Sequence, residues 1–156
     1  MKIGIIGSVC SGKTTLANQL AKYFKFDLVR NYEQNDLKFE HIQYEILFDQ
    51  IKCEIFSNRN IICDRTIIDN FVHLEKLFKP KMYLLKLVRS WAETYDVILL
   101  CKKLPFIDDG FRKEIDMEHA FISFMKNNLI NFEIVEGNKE ERFEKSKKII
   151  ERMLNK

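Results

Sequence analysis

Short apolar runs alternate along the chain with longer segments in which apolar residues recur every three or four positions. The short runs predict buried strands at 2–6, 27–29, 60–64, 96–101 and 131–135. The longer segments predict helices at 13–24, 39–56, 67–78, 82–94, 118–128 and 140–154. Apolar strands separated by helices are typical of a parallel sheet that is covered on both faces. The pattern therefore predicts an α/β fold with five parallel strands.

Length and composition narrow the classes of protein that fit this pattern. The 156 residues suit one domain, and 46% hydrophobic with 31% charged residues is ordinary for a globular protein. Lys and Arg number 26 against 23 Asp and Glu, so the charge gives no strong nucleic-acid signal. The four cysteines form no CxxC pair, which disfavours a zinc site and suggests a reducing cytoplasm. No apolar run has the length of a membrane span, so we expect no membrane partner.

A glycine-rich segment between the first predicted strand and helix fits the pattern G-x-x-x-x-G-K-[S/T] without a mismatch. It consists of Gly7, Ser8, Val9, Cys10, Ser11, Gly12, Lys13 and Thr14. Its glycines let backbone N–H groups turn toward an anion, and the following helix directs its positive dipole end there. We expect Lys13 to bridge the β- and γ-phosphates, Thr14 to ligate Mg²⁺ and Thr15 to contact the α-phosphate. Cys10 contributes either its backbone N–H or a reactive thiol.

An acidic and a basic residue, Asp64 and Arg65, stand at the end of the third predicted strand. Asp64 stands at its tip, where it would hold Mg²⁺ through water or position an attacking hydroxyl. The alternative is that Asp64 caps the helix from Ile67, since Asp is a favoured N-cap. Arg65 either faces the phosphates or the substrate, or forms a surface ion pair.

Two less regular segments carry further candidates. A lid-like loop at about 103–117 contains Asp108, Asp109 and Arg112. Arg112 would close over the transferred phosphoryl group, and the two acids would bind substrate hydroxyls or hold Arg112 itself. Glu33, after the second predicted strand, is a candidate base for a hydroxyl acceptor. The alternative for both segments is an exposed polar connection.

Three blocks of sequence resemble small P-loop nucleoside and nucleotide kinases. They are GSVCSGKTTLANQLAKYF, IICDRTIIDN and YDVILLCKKLPFIDDGFR. The chain is most similar to the ribosylnicotinamide kinase-like P-loop ATPase/kinase family, because the third block resembles that family's Tyr-Asp strand and its Pro-aromatic-x-x-Asp-Gly-x-Arg loop. The resemblance implies a three-layer P-loop NTPase fold with kinase-type strand order and a short lid, as one domain over 1–156.

The resemblance also implies where ligands bind. The ATP phosphates would lie on four loop residues, namely Gly12, Lys13, Thr14 and Thr15. The family further implies Mg²⁺ near Thr14 and Asp64, adenine near Gly137 and Asn138, and a lid-like arginine at Arg112. A small-molecule nucleoside or nucleotide would be the second substrate, and a homodimer is compatible with the sequence.

One departure from the family concerns the phosphoryl acceptor. The family's second strand leads into a Glu-Tyr-x-Arg-like segment, whereas residues 31–34 read Asn-Tyr-Glu-Gln. Glu33 is a substitute for the expected acid, so the acceptor and the base stay open.

The leading hypothesis is an ATP-dependent kinase that acts on a deoxynucleoside, nicotinamide riboside or a nucleoside monophosphate. The alternatives are a P-loop NTPase coupled to a conformational change and a nucleotide-dependent binding or regulatory module without an acceptor. The absence of an Asn-Lys-x-Asp motif disfavours a GTPase.

Overall fold

A single parallel sheet organises the molecule. The computed structural model describes residues 1–30, 39–57, 60–105 and 117–155. Its strands are β1 (Lys2–Gly7), β2 (Asp27–Arg30), β3 (Ile61–Asp64), β4 (Val97–Cys101) and β5 (Glu133–Val135). They lie in the order β2-β3-β1-β4-β5, and every neighbouring pair is parallel. The predicted α/β fold with five parallel strands is thus confirmed.

Six helices connect and flank the strands within the described residues. They are α1 (Lys13–Phe24), α2 (Glu40–Phe56), α3 (Ile67–Leu77), α4 (Met82–Ala92), α5 (Glu118–Asn127) and α6 (Lys139–Leu154). The predicted strand and helix ends agree with the observed ones to within two residues. None of these helices has both the length and the apolar character that crossing a membrane requires. All four cysteines are free thiols.

The core divides into two apolar clusters, one on each face of the sheet. Ile3 and Ile5 of β1 pack into the cluster formed with α1 and α6, whereas Ile6 packs into the cluster formed with α2 to α5. Successive side chains of a strand point to opposite faces, so the apolar run of β1 supplies both clusters. The result is a three-layer arrangement in which β1 is the central strand.

The strand register determines which residues meet at the carboxyl edge of the sheet. Ile5 of β1 lies opposite Asp64 of β3, and Gly7 of β1 lies opposite Cys101 of β4. The segments that leave β1 and β3 therefore begin side by side. In open parallel sheets this edge is where ligands bind.

A buried carboxylate organises the opposite, amino edge of the sheet. Glu54 of α2 accepts hydrogen bonds from Gln50 Nε2 at 2.6 Å, Trp91 Nε1 at 2.7 Å and the Tyr95 hydroxyl at 2.6 Å. It also pairs with Lys2 Nζ at 2.6 Å, and this ammonium lies 4.4 Å and 4.3 Å from the centroids of the Trp91 and Tyr95 rings. The Glu54 side chain is fully buried, so its interactions with these donors offset the free-energy cost of desolvating the carboxylate.

We expect Glu54→Ala to lower the free energy of unfolding by about 3 kcal/mol, because it leaves one cation and three donors without their acceptor. Urea denaturation measures this change. The control is Asp49→Ala on the same helix, whose pair with Lys52 is exposed and should contribute about 0.5 kcal/mol or less. Equal effects of the two substitutions would contradict the assignment of a stabilising role to the buried network.

Candidate functional site

The loop between β1 and α1 curls tightly, with three residues at positive φ. These are Gly7 at +145°, Cys10 at +59° and Gly12 at +80°. A Cβ atom on Gly7 would lie 2.5 Å from the Cys101 carbonyl oxygen, which excludes any side chain there. At Gly12 the nearest atom to such a Cβ is a side-chain carbon 3.4 Å away, so the φ angle rather than crowding favours glycine. This loop is called the phosphate loop below, and comprises residues 7–14.

The phosphate loop leads into a helix start that is electrostatically positive. Gly12 is the N-cap of α1, and its first turn contains no acidic residue. No side chain among the described residues caps these N–H groups. Thr14 and Thr15 stand exposed in this turn. An uncapped helix N-terminus beside a curled loop offers N–H donors and a positive dipole end to an anion.

Lys13 lies inside the curl of the phosphate loop. Its ammonium is buried and donates hydrogen bonds to the carbonyl oxygens of Gly7 at 2.7 Å and Ser8 at 2.6 Å. Burial lowers the pKa of Lys13, and the charge of Arg65 lowers it further, whereas Asp69 raises it. The structure thus holds a desolvated cation where the sequence predicts the β- and γ-phosphates.

Asp64 lies at the carboxyl end of β3, and one oxygen of its carboxylate accepts no hydrogen bond from the described residues. The residue is 7% exposed, and its Oδ1 has no hydrogen-bond partner among the described residues. It does not cap α3, because Thr66 is the N-cap and its hydroxyl accepts from the Ile68 N–H at 3.1 Å. The capping alternative for Asp64 is therefore excluded, and a buried carboxylate oxygen remains available to a ligand.

Arg65 adds a second cation beside Lys13. It adopts φ of +76°, its N–H donates to the Ile5 carbonyl at 3.0 Å, and its carbonyl accepts from Gln50 Nε2 at 3.4 Å. Burial and then the charges of Arg65 and Lys13 lower the pKa of His73 to about 4, which keeps this imidazole neutral. The region between the phosphate loop and α3 therefore brings the cations Lys13 and Arg65 next to the carboxylates of Asp64 and Asp69.

Asp69 connects α3 to the phosphate loop, and the site prediction from sequence did not include it. Its carboxylate accepts from the Thr66 N–H at 2.9 Å and from the Gly7 N–H at 3.4 Å. Burial raises its pKa from 3.8 to about 6, against the opposing charges of Lys13 and Arg65. The spacing Thr66-x-x-Asp69 is a capping-box signal in the sequence, but its link to Gly7 requires the fold.

The Asp69 pKa predicts a pH dependence of stability. Because the folded pKa of about 6 exceeds the ordinary 3.8, the folded state holds this proton more tightly, and the stabilisation is lost as pH rises through that interval. We compare the unfolding free energy of the native chain with that of Asp69→Asn. The difference should fall by on the order of 3 kcal/mol as the pH rises from below 3.8 to above about 6. Urea unfolding of both chains across this interval measures it, and a difference that stays constant with pH would contradict the prediction.

The loop after β5 reaches the phosphate loop through a third segment. Gly137 has φ of +99°, and Asn138 is the N-cap of α6, where its side-chain oxygen accepts from the Glu141 N–H at 3.0 Å. Arg142 Nε donates to the Gly137 carbonyl at 2.7 Å, and its Nη1 donates to the Ser11 carbonyl at 2.6 Å. The structure therefore gives Asn138 a capping role and connects the predicted adenine-side loop to the phosphate loop through Arg142, which the sequence analysis did not single out.

Two main-chain contacts anchor the ends of the lid-like stretch. The Met117 N–H donates to Ser8 Oγ at 3.0 Å, and the Lys103 N–H donates to Glu118 Oε2 at 2.8 Å. Four predicted residues lie outside the described part of the chain, namely Glu33, Asp108, Asp109 and Arg112. The predicted residues that the structure brings together are the phosphate loop, Asp64 and Arg65.

The donor set fits Mg²⁺ bound together with phosphates. Asp64 offers a buried carboxylate oxygen, and Thr14 offers a hydroxyl in the first turn of α1. Among the described residues no cluster of three or more His, Cys, Asp or Glu side chains forms a complete metal cage. Mg²⁺ commonly takes one or two protein oxygens and completes its shell with water and substrate phosphates, so these two side chains are of the kind that such a site uses.

Comparisons with known proteins place the chain in a family. A family model described as an AAA domain matches residues 2–142. No curated protein matches the sequence significantly. Solved structures also match, and three of them illustrate the similarity.

The first is deoxyadenosine kinase from M. mycoides with bound dATP, at 17% identity, TM-score 0.61 and full coverage of both chains. The second is YorR from Bacillus subtilis in complex with phosphorylated GDP, at 15% identity and TM-score 0.65, covering 100% of this chain and 99% of that one. The third is NadR in complex with NR, at 21% identity and TM-score 0.66, covering 91% of this chain and 48% of that one. The fold is thus that of the P-loop nucleoside kinases, and the chain belongs to the AAA-domain family whose model spans most of its length.

Proposed function

We propose that this protein is an ATP-dependent kinase that transfers the γ-phosphoryl group to a small nucleoside or nucleotide. Two buried groups carry the proposal: the Lys13 ammonium inside the phosphate loop, and the Asp64 carboxylate at the end of the adjacent strand, whose Oδ1 has no hydrogen-bond partner among the described residues. A desolvated cation next to an available carboxylate oxygen is the arrangement that a triphosphate and its magnesium ion require.

The phosphate loop supplies most of the binding groups. Its backbone N–H groups and the first turn of α1 would bind the phosphate oxygens, with Thr15 near the α-phosphate. Phosphate oxygens would replace the carbonyls of Gly7 and Ser8 as acceptors for Lys13, and the contact would be stronger because both partners are then charged. Thr14 and Asp64 would hold Mg²⁺, which neutralises negative charge on the phosphates when bound.

Cations near the γ-phosphate distinguish a kinase from a protein that only binds nucleotide. Arg65 is one such cation, and its charge acts on Lys13, Asp69 and His73. In this proposal Arg65 and Arg112 stabilise the transferring phosphoryl group, and Glu33 takes the proton of the acceptor hydroxyl. Positioning and charge stabilisation would then account for most of the rate enhancement.

The acceptor class is inferred from the structural neighbours. They include a deoxyadenosine kinase and NadR in complex with NR, and both point to nucleosides. Deoxynucleosides, nicotinamide riboside and nucleoside monophosphates are therefore the acceptors to test. The base-side residues in this proposal are Gly137 and Asn138, of which Asn138 offers chiefly its backbone because its side chain caps α6.

A panel of these acceptors with γ-labelled ATP and Mg²⁺ tests the proposal. Transfer of label to one class of acceptor is the expected result. Release of free phosphate without a labelled product would overturn the kinase assignment and indicate an NTPase. Binding of ATP with neither product would indicate a regulatory or binding module.

A further inference from the structure

A single arginine side chain joins three separate segments beside the phosphate loop. Arg142 is only 5% exposed, and each of its three guanidinium nitrogens donates to a different main-chain carbonyl. Nη1 donates to Ser11 at 2.6 Å, Nε to Gly137 at 2.7 Å and Nη2 to Lys102 at 3.0 Å. These carbonyls belong to the phosphate loop, the segment after β5 and the segment after β4.

The contacts fix distances because the guanidinium is planar and rigid. Its donors leave in a fixed fork, so the three carbonyls are held at set separations from one another. The backbone of Arg142 is fixed in the first turn of α6. Its N–H donates to the Asn138 carbonyl at 3.0 Å, and the Asn138–Glu141 capping box stabilises that turn. A movement of the Gly137 peptide is therefore transmitted to Ser11.

We propose that Arg142 is a positioning residue that couples the base side of the nucleotide site to its phosphate side. The inference rests on the proposed function, in which Gly137 and Asn138 lie beside the base and the phosphate loop holds the phosphates. Arg142 touches neither end of the nucleotide in this arrangement. It holds the two subsites at the separation that one nucleotide spans. When the phosphates bind to the phosphate loop, the base-side residues are therefore already in position for the base.

A purely structural role for Arg142 makes a different prediction. If the guanidinium only stabilised the phosphate loop, its loss would weaken every phosphate ligand by the same factor. Coupling of the two subsites instead penalises ligands that must reach both. Tripolyphosphate carries the phosphate chain of ATP without a base, so the ratio of the two affinities separates the two roles.

The test compares Arg142→Lys with the native chain by calorimetry of ATP and of tripolyphosphate, both with Mg²⁺. Lysine keeps the positive charge but lacks the three-way fork. We expect ATP affinity to fall about tenfold or more and tripolyphosphate affinity to change less than about threefold. The matched control is Arg152→Lys on the same helix, whose Nε donates to the Lys148 carbonyl one turn away, and it should leave both affinities unchanged.

Equal losses for the two ligands, or no loss, would overturn the inference while leaving the proposed function intact. A native chain that binds neither ligand would overturn both together.

If Arg142→Lys does not fold, hydrogen exchange on the native chain decides the question. Tripolyphosphate, which reaches only the phosphate loop, should slow amide exchange at residues 138–142 as well. Unchanged exchange at those residues would overturn the inference.

Discussion

We expect Lys13→Ala to lower the rate of phosphoryl transfer from ATP by about 10²- to 10³-fold, the range seen when one donor that stabilises transition-state charge is removed. Residues 7–14 of the phosphate loop contain one lysine, Lys13, and its ammonium is buried. No second lysine in the loop can take over its contact with the phosphates. The activity to measure is transfer to the acceptor that the panel identifies. ATP affinity should weaken as well, because the loop loses its desolvated charge.

The substitution also removes hydrogen bonds to the Gly7 and Ser8 carbonyls, so a loss of folding must be separated from a loss of chemistry. Thermal unfolding of Lys13→Ala provides that check. Lys22→Ala is the matched control, since Lys22 lies exposed in the last turn of the same helix. A folded Lys13→Ala chain that keeps more than about a tenth of the native rate would refute the assignment of Lys13 to the γ-phosphate.

For Asp64→Asn we expect activity and stability to move in opposite directions. Transfer with Mg²⁺ should fall about 100-fold, because the amide lacks the charge that a divalent cation requires. The free energy of unfolding should stay the same or rise, because one buried oxygen of the native carboxylate has no hydrogen-bond partner in the described part of the chain. Such a trade of stability for activity is common at functional sites.

The control for Asp64→Asn is a carboxylate at the other edge of the sheet. Asp96 accepts a hydrogen bond from the Lys2 N–H at 2.6 Å and lies far from the phosphate loop along β1. Asp96→Asn should leave transfer unchanged. If Asp64→Asn instead lowered stability and kept its activity, Asp64 would be a structural residue and the magnesium assignment would be wrong.

The fold could be predicted closely because its central strands are short and mostly apolar and are separated by longer helical segments. β1 illustrates the point, since Ile3, Ile5 and Ile6 are apolar on both faces and only a sheet covered on both sides buries them all. The strand order did not follow from this pattern; it came from the resemblance to a kinase family. Helix ends such as Lys13 were predictable because the glycine-rich loop marks the boundary.

Much of the candidate site could be inferred from local spacing, but its long-range contacts could not. The segment from Gly7 to Thr14 carries its own pattern in consecutive residues. Asp69 and Arg142 act across 62 and 131 positions of the sequence, through the Gly7 N–H and the Ser11 carbonyl. Arg142 sits in a helix rich in Lys and Glu, and its spacing from Ile149 and Ile150 puts it on the same helix face, but the carbonyls that it reaches depend on the fold.

We expect the two glycines of the phosphate loop, Gly7 and Gly12, to differ in how readily they are substituted during the evolution of this chain. A methyl group at position 7 would collide with the Cys101 carbonyl oxygen whether or not any ligand binds, so Gly7 should persist even in lineages that have lost the activity. A Cβ atom at position 12 would meet no close contact, and the only constraint there is the left-handed backbone conformation, which asparagine also adopts. Drift from glycine to asparagine at position 12, with glycine kept at position 7, would therefore mark the branches that have ceased to handle nucleotides.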